Sequence, residues 1–94
     1  MENSPKAFRI FVYGRVQGVF FRAWAREQAK KLSLVGWAKN LPDGSVEIFV
    51  QGKSQDLEKF LFSCLEGPPA AKVLKLVIQP STTNQNINSF EILY

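Results

Sequence analysis

Residues 14–22 of the chain read GRVQGVFFR and join an alternating apolar stretch to a stretch with helical periodicity. Two glycines permit a backbone path on which successive N–H groups point to one side, and a helix N-terminus adds a partial positive charge. Arg22 adds a planar guanidinium that can bind two oxyanion oxygens. A cation in the first helical turn opposes the macrodipole, and residues that break such local rules concentrate at functional sites. The segment therefore predicts a strand-to-helix turn that forms a phosphate pocket.

Periodicity on either side of this segment predicts a strand and a helix. Phe8, Ile10 and Val12 are apolar positions two residues apart, the pattern of a strand with one face in a core. From Phe21 to Leu32 the apolar residues recur at helical spacing, which predicts the first helix.

Turn and capping signals bound the remaining elements. The turn sequence at residues 42–44 predicts a hairpin, Ser54 is the expected N-cap of a second helix, and Gly67 is its expected stop. The predicted elements are strands over residues 36–41, 45–51, 74–79 and 90–94 and a helix over residues 54–66.

The resulting order is β-α-β-β-α-β-β. Its first six elements match the split β-α-β pattern, and the right-handed crossover rule leaves few other topologies. We therefore predict an α+β fold, a ferredoxin-like α/β sandwich. Its two helices lie on one face of a mostly antiparallel sheet, with an extra short C-terminal strand.

The composition excludes several classes of chemistry. The 94 residues include no histidine, one cysteine and eight carboxylates, so Ser-His-Asp triads, Cys-His pairs and histidine-bearing metal sites are excluded. We interpret the lone Cys64 as a core residue, and Asp43 and Glu47 as turn and surface residues. A net charge of +4 favours anionic ligands without choosing between a small phosphate ester and a nucleic acid.

The length and the 46% hydrophobic fraction fit a single domain over residues 1–94, with residues 1–6 flexible. One cysteine cannot form an internal disulfide, and no apolar run approaches the roughly 20 residues that span a membrane. Residues 1–7 lack the apolar core of a signal peptide. We therefore expect a cytoplasmic protein without membrane association. We also expect it to be a monomer.

The order and spacing of several motifs resemble the acylphosphatase family. Residues 14–22 are followed by GWAKN at 36–40, by DGSVE at 43–47 and by GPP at 67–69. The resemblance covers almost the whole chain, and it is specific because two leading motifs agree in order, spacing and secondary-structure setting. Where the family usually has glycine between two leucines after the first helix, this chain has Ser33, which is less comfortable than glycine in a left-handed conformation.

The resemblance implies a hydrolase without metal or cofactor that splits the carboxyl-phosphate bond of acyl phosphates into a carboxylate and inorganic phosphate. It assigns the catalytic arginine to Arg22 and the catalytic asparagine to Asn40. Its substrate is a small acyl phosphate, and inorganic phosphate is expected as product and inhibitor. The phosphate-binding residues that it implies are Arg15, Val16, Gln17, Gly18, Val19, Phe20 and Arg22.

The residue inventory suits this chemistry. A carboxylate is a stable leaving group, so the reaction mainly demands positioning and electrostatic stabilisation. Arg22 and the loop N–H groups would hold the phosphoryl oxygens, and the Asn40 amide would orient the attacking water. Each residue also has an ordinary interpretation: Arg22 as a surface helix residue, and Asn40 as preparation for the turn at residues 42–44.

Two other functions remain open. An RNA-binding module could stack bases on the open face of such a sheet, which would carry Arg9, Phe11, Tyr13 and Phe49. Residues 45–50 lack the basic-glycine-aromatic pattern of that module, so no nucleic acid is expected as a partner. The second alternative is an acylphosphatase-like domain that handles carbamoyl phosphate for a larger assembly.

Overall fold

The structure, a computed structural model, describes residues 4–94 and has the predicted element order β-α-β-β-α-β-β. The expected flexible segment 1–6 lies partly outside the described residues, and Lys6 already pairs with Gly52 in the first strand. The elements are β1 (Lys6–Arg15), α1 (Phe21–Lys31), β2 (Val35–Asn40), β3 (Val46–Gly52), α2 (Ser54–Glu66), β4 (Lys72–Ser81) and β5 (Phe90–Leu93). Neither helix in this part of the chain is long and apolar enough to cross a membrane.

The five strands form one sheet in the order β4-β1-β3-β2-β5. Neighbouring strands are antiparallel except β5, which runs parallel to β2. On β1, Ile10 lies opposite Ile48 of β3 and Ile78 of β4. The predicted ferredoxin-like sandwich is confirmed, with the extra strand added beside β2.

Both helices pack on the sheet and close one hydrophobic core. Phe21, the first residue of α1, is almost fully buried, and removing such a side chain from water contributes about 1.5–3 kcal/mol. The N-terminus of α1 is therefore anchored directly beside Arg22. The buried side chains include Ile10, Val12, Val46, Ile48 and Val50 from the sheet, Phe21, Ala25 and Ala29 from α1, and Leu57, Phe60 and Cys64 from α2.

Polar and aromatic side chains of the sheet that point away from this core pack on one another. Arg9 Nη1 donates to Glu47 Oε2 at 2.7 Å, and the rings of Trp37 and Phe49 stack with centroids 6.1 Å apart. Glu47 is 7% exposed and Phe49 is 4% exposed, because strands lie on both sides of β3. The prediction that Glu47 is a surface residue is therefore wrong.

Only one of the two predicted caps of helix α2 is observed in the structure. Gly67 ends the helix with φ 72°, in the left-handed region that glycine tolerates. At the start, Ser54 is the first helical residue and Lys53 is the N-cap, so the predicted serine cap is wrong. Within the described residues the Ser54 hydroxyl is buried and makes no hydrogen bond.

Candidate active site at the N-terminus of helix α1

Three segments meet at the start of α1 and enclose a pocket of about 390 Å³. The β1–α1 loop and the first turn of α1 form one side, the end of β2 contributes Asn40, and the β5 segment contributes the rest. The predicted pair Arg22 and Asn40 therefore line the same pocket, although they are far apart in sequence. The lining residues are Val16, Gly18, Phe20, Phe21, Arg22, Ala23, Asn40, Ile92 and Tyr94.

The loop enters the helix through two left-handed residues. Gly18 has φ 74° and Phe20, the N-cap of α1, has φ 63°. A left-handed conformation costs a residue with a Cβ atom about 1–2 kcal/mol, so Phe20 is strained. Within residues 4–94 no side chain caps this helix, and its first turn carries no acidic residue. The first helical N–H groups and the positive end of the dipole are therefore available to an anion.

Arg22 is held at this end of the helix by the β5 segment. Its Nη1 donates to the Leu93 carbonyl oxygen at 2.8 Å. Its guanidinium carbon lies 4.9 Å from the centroid of the Tyr94 ring, which is a cation–π distance. A backbone acceptor and an aromatic ring thus fix the guanidinium beside the uncapped helix turn.

Asn40 is the last residue of β2 and lies opposite Val46 of β3. The turn that follows is closed by other groups. Leu41 N–H donates to the Ser45 carbonyl oxygen at 2.9 Å, and the Asp43 carboxylate accepts from the Ser45 hydroxyl and from its N–H. The Ser45 hydroxyl bond, followed by the backbone bond, lowers the pKa of Asp43 below its ordinary value. Asp43, as interpreted from the sequence, is a turn residue.

Gln17 links the loop to this turn. Its side-chain amide donates to the carbonyl oxygens of Leu41 and Ser45, each at 2.8 Å. The predicted contact of Gln17 with phosphate therefore concerns its backbone N–H, because both side-chain N–H groups are used. Leu41 directly follows Asn40, so this bridge connects the phosphate loop to the asparagine.

The other predicted loop residues divide into two groups. Val16, Gly18 and Phe20 line the pocket, whereas Arg15 and Val19 do not. Arg15 ends β1, where it is exposed and lies opposite Lys72 of β4. Val19 packs against the core.

Sequence reasoning missed the contribution of β5. The sequence predicts a strand over residues 90–94, but it gives no signal that Ile92 and Tyr94 belong to the site. They reach the pocket because β5 pairs in parallel with β2, with Ala38 opposite Ile92. Alternation of apolar residues within one strand indicates a buried face. It does not predict which strand lies next to it in the sheet. Phe21 and Ala23, also missed, follow from the position of Arg22 on α1.

Other reactive groups lie elsewhere. Cys64 is in the core, and burial raises the pKa of its thiol to about 12, so it stays protonated at neutral pH. In the described part of the chain, no three His, Cys, Asp or Glu side chains lie close enough together to hold a metal ion.

Comparison with known proteins gives consistent matches. The acylphosphatase family model matches residues 8–92. An acylphosphatase from Aeropyrum pernix is 49% identical over 95 residues, covering 100% of this chain and 94% of the relative. The crystal structure of acylphosphatase from Bacillus subtilis is 38% identical with a TM-score of 0.90, covering 95% of this chain and 99% of that one. Full-length HypF, solved in a phosphate- and nucleotide-bound form, matches with 27% identity and a TM-score of 0.88, over 97% of this chain but 12% of its own.

Proposed function

The chain belongs to the acylphosphatase family and hydrolyses acyl phosphates, and we propose that it does so without metal or cofactor, with the phosphate held by the 15–20 loop and Arg22. Asn40 orients the water that attacks phosphorus. One observation carries this assignment: the uncapped N-terminus of α1, the Arg22 guanidinium and the Asn40 amide all line one pocket in the described residues.

Phosphate binding follows from the groups on one side of this pocket. The first N–H groups of α1 and the loop beside Gly18 offer donors and a partial positive charge. Arg22 adds a forked cation whose position is supported by the Leu93 carbonyl oxygen. These groups stabilise the negative charge on the phosphoryl oxygens in the transition state.

Asn40 supplies the group that orients the attacking water. Its amide has an acceptor oxygen and two donor hydrogens, which can orient a water without adding charge beside the phosphate. The water attacks phosphorus opposite the leaving oxygen, and the bond between phosphorus and the carboxylate oxygen breaks. Of the two protons of the water, one stays on its oxygen in the inorganic phosphate product and the other passes to a phosphate oxygen or to solvent. The carboxylate leaves with the electron pair, so no general acid is needed at that oxygen. The chain has no histidine to provide one.

The RNA-binding alternative has little support on the sheet. Phe49, one of the rings expected to stack bases, is buried beneath its neighbours and stacked with Trp37. Arg9, which would meet the nucleic acid backbone, is paired with Glu47. The alternative of a domain for carbamoyl phosphate shares the same phosphate site. The two alternatives therefore differ in the ligand that they would bind. The RNA-binding module would bind single-stranded RNA, and the carbamoyl phosphate domain would bind a small phosphorylated acid.

Inorganic phosphate would occupy the same pocket as the phosphoryl group, so it should inhibit competitively. We further propose that the protein acts as a monomer in the cytoplasm, a reducing compartment that suits its lone Cys64.

Hydrolysis of benzoyl phosphate by the purified protein, in buffer with excess chelator, tests the proposal. We expect activity that chelator leaves unchanged, competitive inhibition by inorganic phosphate, and far slower hydrolysis of an alkyl phosphate monoester, whose leaving group needs an acid. Arg22→Ala serves as the background control. Activity that chelator abolishes and a divalent metal restores would contradict the metal-free proposal.

A further inference from the structure

Two large aromatic side chains stand in solvent at the mouth of the pocket. Phe20 is 83% exposed and Tyr94 is 98% exposed, yet both line the pocket that contains Arg22. Exposed aromatic rings that share a cleft with polar groups are typical of ligand contacts rather than of core packing. Neither ring gains much from burial in the folded protein, so folding alone does not explain them.

Phe20 is also held in a conformation that phenylalanine disfavours. Its φ of 63° is in the left-handed region, where glycine is the most stable residue. Strained residues at the edge of a site are maintained when they serve function. Phe20 is therefore both strained in its backbone and exposed in its side chain.

Tyr94 lies against the arginine. Its ring is 4.9 Å from the Arg22 guanidinium carbon, and Arg22 itself is held by the carbonyl oxygen of the preceding residue, Leu93. Ile92 of the same segment also lines the pocket. The pocket therefore has apolar and aromatic lining residues from two segments in addition to Arg22. Among the residues that the structure describes, no lining side chain carries a negative charge.

A substrate whose phosphoryl group is bound by the backbone N–H groups of the loop directs its acyl group toward the exposed end of the pocket, where the Phe20 and Tyr94 side chains lie. We propose that Phe20 and Tyr94 form an acyl-group subsite that favours flat, apolar, aromatic acyl groups over small aliphatic ones. The inference rests on the proposed function, since it takes the phosphate position as given. Stacking on two rings and the loss of apolar surface to water both favour an aromatic acyl group.

The test compares benzoyl phosphate with acetyl phosphate through the ratio of their kcat/KM values. Using the change in this ratio between variants removes the difference in intrinsic reactivity of the two substrates. The variants are Phe20→Gly, which suits the left-handed backbone, and Tyr94→Ala, with Tyr94→Phe to retain the ring. Phe62→Ala is the matched control, because Phe62 is a 73% exposed phenylalanine on α2 that does not line this pocket.

We expect Phe20→Gly and Tyr94→Ala each to lower the benzoyl-to-acetyl ratio by roughly tenfold, the order of magnitude by which an apolar pocket discriminates between acyl groups. The ratio should fall because KM for benzoyl phosphate rises. Tyr94→Phe and Phe62→Ala should keep the wild-type ratio. Thermal denaturation of Phe20→Gly should show no loss of stability, since the substitution relieves strain.

An unchanged ratio in both Phe20→Gly and Tyr94→Ala would overturn the subsite while leaving the hydrolase function in place. An equal fall for both substrates would also overturn it, because the rings would then act only on Arg22 or on the loop. Wild-type protein that hydrolyses neither substrate would overturn the proposed function and the subsite together. The readouts therefore separate the two failures.

Discussion

The two ends of helix α1 carry the same backbone anomaly for different reasons. Just before the helix, Phe20 has φ 63°, and just after it, Ser33 has φ 58°; both are non-glycine residues in the left-handed region. The surroundings of the two residues differ in hydrogen bonding and in charge. We use this difference to distinguish a left-handed residue that ends the helix from one that lies at the candidate site.

At the C-terminal end of α1, backbone groups of the chain itself form the capping hydrogen bonds. Ser33 N–H donates to the Lys30 carbonyl oxygen at 3.1 Å, and Leu34 N–H donates to the Ala29 carbonyl oxygen at 2.8 Å, which together form a Schellman motif. Lys30 and Lys31 in the last turn stabilise the negative end of the dipole. Every element of this end follows the usual rules except the choice of serine over glycine.

The N-terminal end reverses those rules. Within residues 4–94 no side chain caps it, its first turn has no acid, and Arg22 adds positive charge where the dipole is already positive. Such an end is unfavourable alone and favourable with an anion bound. The strain at Ser33 accompanies helix termination, whereas we propose that the strain at Phe20 serves ligand binding.

Arg22 should give the largest effect on activity. We expect Arg22→Lys to lose roughly 10²–10³-fold in kcat/KM, nearly as much as Arg22→Ala, because an ammonium cannot make the forked contact. Steady-state kinetics with benzoyl phosphate measure this, and thermal denaturation verifies folding. Lys31→Ala, at the opposite end of the helix, is the control and should retain activity. Near-normal turnover by folded Arg22→Lys would mean that a point charge suffices.

Asn40 should separate chemistry from binding. Asn40→Ala should lower kcat by about 10²-fold, comparable to loss of one preorganised donor, while calorimetry shows phosphate still bound. Asn40→Asp should impair both, because it places a negative charge beside the phosphate. Equal losses of affinity and rate in Asn40→Ala would make Asn40 a phosphate ligand, and unchanged turnover would make it a turn residue.

Gln17 tests whether the loop and Asn40 are coupled. Gln17→Leu removes two hydrogen bonds to the carbonyl oxygens of Leu41 and Ser45, and should cost about 1–3 kcal/mol in unfolding free energy. Turnover should fall by less than in Asn40→Ala, since the asparagine remains but its support is weakened. Chemical denaturation and kcat measure the two effects. A loss of stability with unchanged kcat would leave Gln17 a purely structural residue.

Ser33→Gly should give the smallest effect and sharpen the comparison of the helix ends. Glycine accepts φ 58° without strain, so we expect the free energy of unfolding to rise by up to about 1 kcal/mol. The benzoyl-to-acetyl ratio of kcat/KM should stay at its wild-type value, unlike that of Phe20→Gly. A change in this ratio would show that the two ends are coupled through the helix.

The fold could be predicted from the sequence because it depends on local patterns, whereas the role of Asn40 rests on the resemblance to the acylphosphatase family and stays a prediction. Periodicity located both helices and most of the strands, the turn at residues 42–44 located β2, and a glycine-rich loop before Arg22 indicated the pocket. The features that the sequence did not predict depend on pairing between strands that are distant in the chain. Ile92 and Tyr94 enter the site through the parallel contact of β5 with β2, and Glu47 is buried because β3 is central. Likewise, the Gln17 bridge depends on a turn 24 residues away from it.

The chemical shifts of backbone amides during a titration with inorganic phosphate test the central claim most directly. In ¹H–¹⁵N spectra of the wild-type protein, we predict saturable shifts at residues 15–22 and at Asn40, and none at residues 30–34, although Lys30 and Lys31 also carry positive charge. The same titration of Arg22→Lys should require a much higher phosphate concentration. Shifts centred on residues 30–34, or spread over all basic surfaces without saturation, would contradict a phosphate site at the N-terminus of α1.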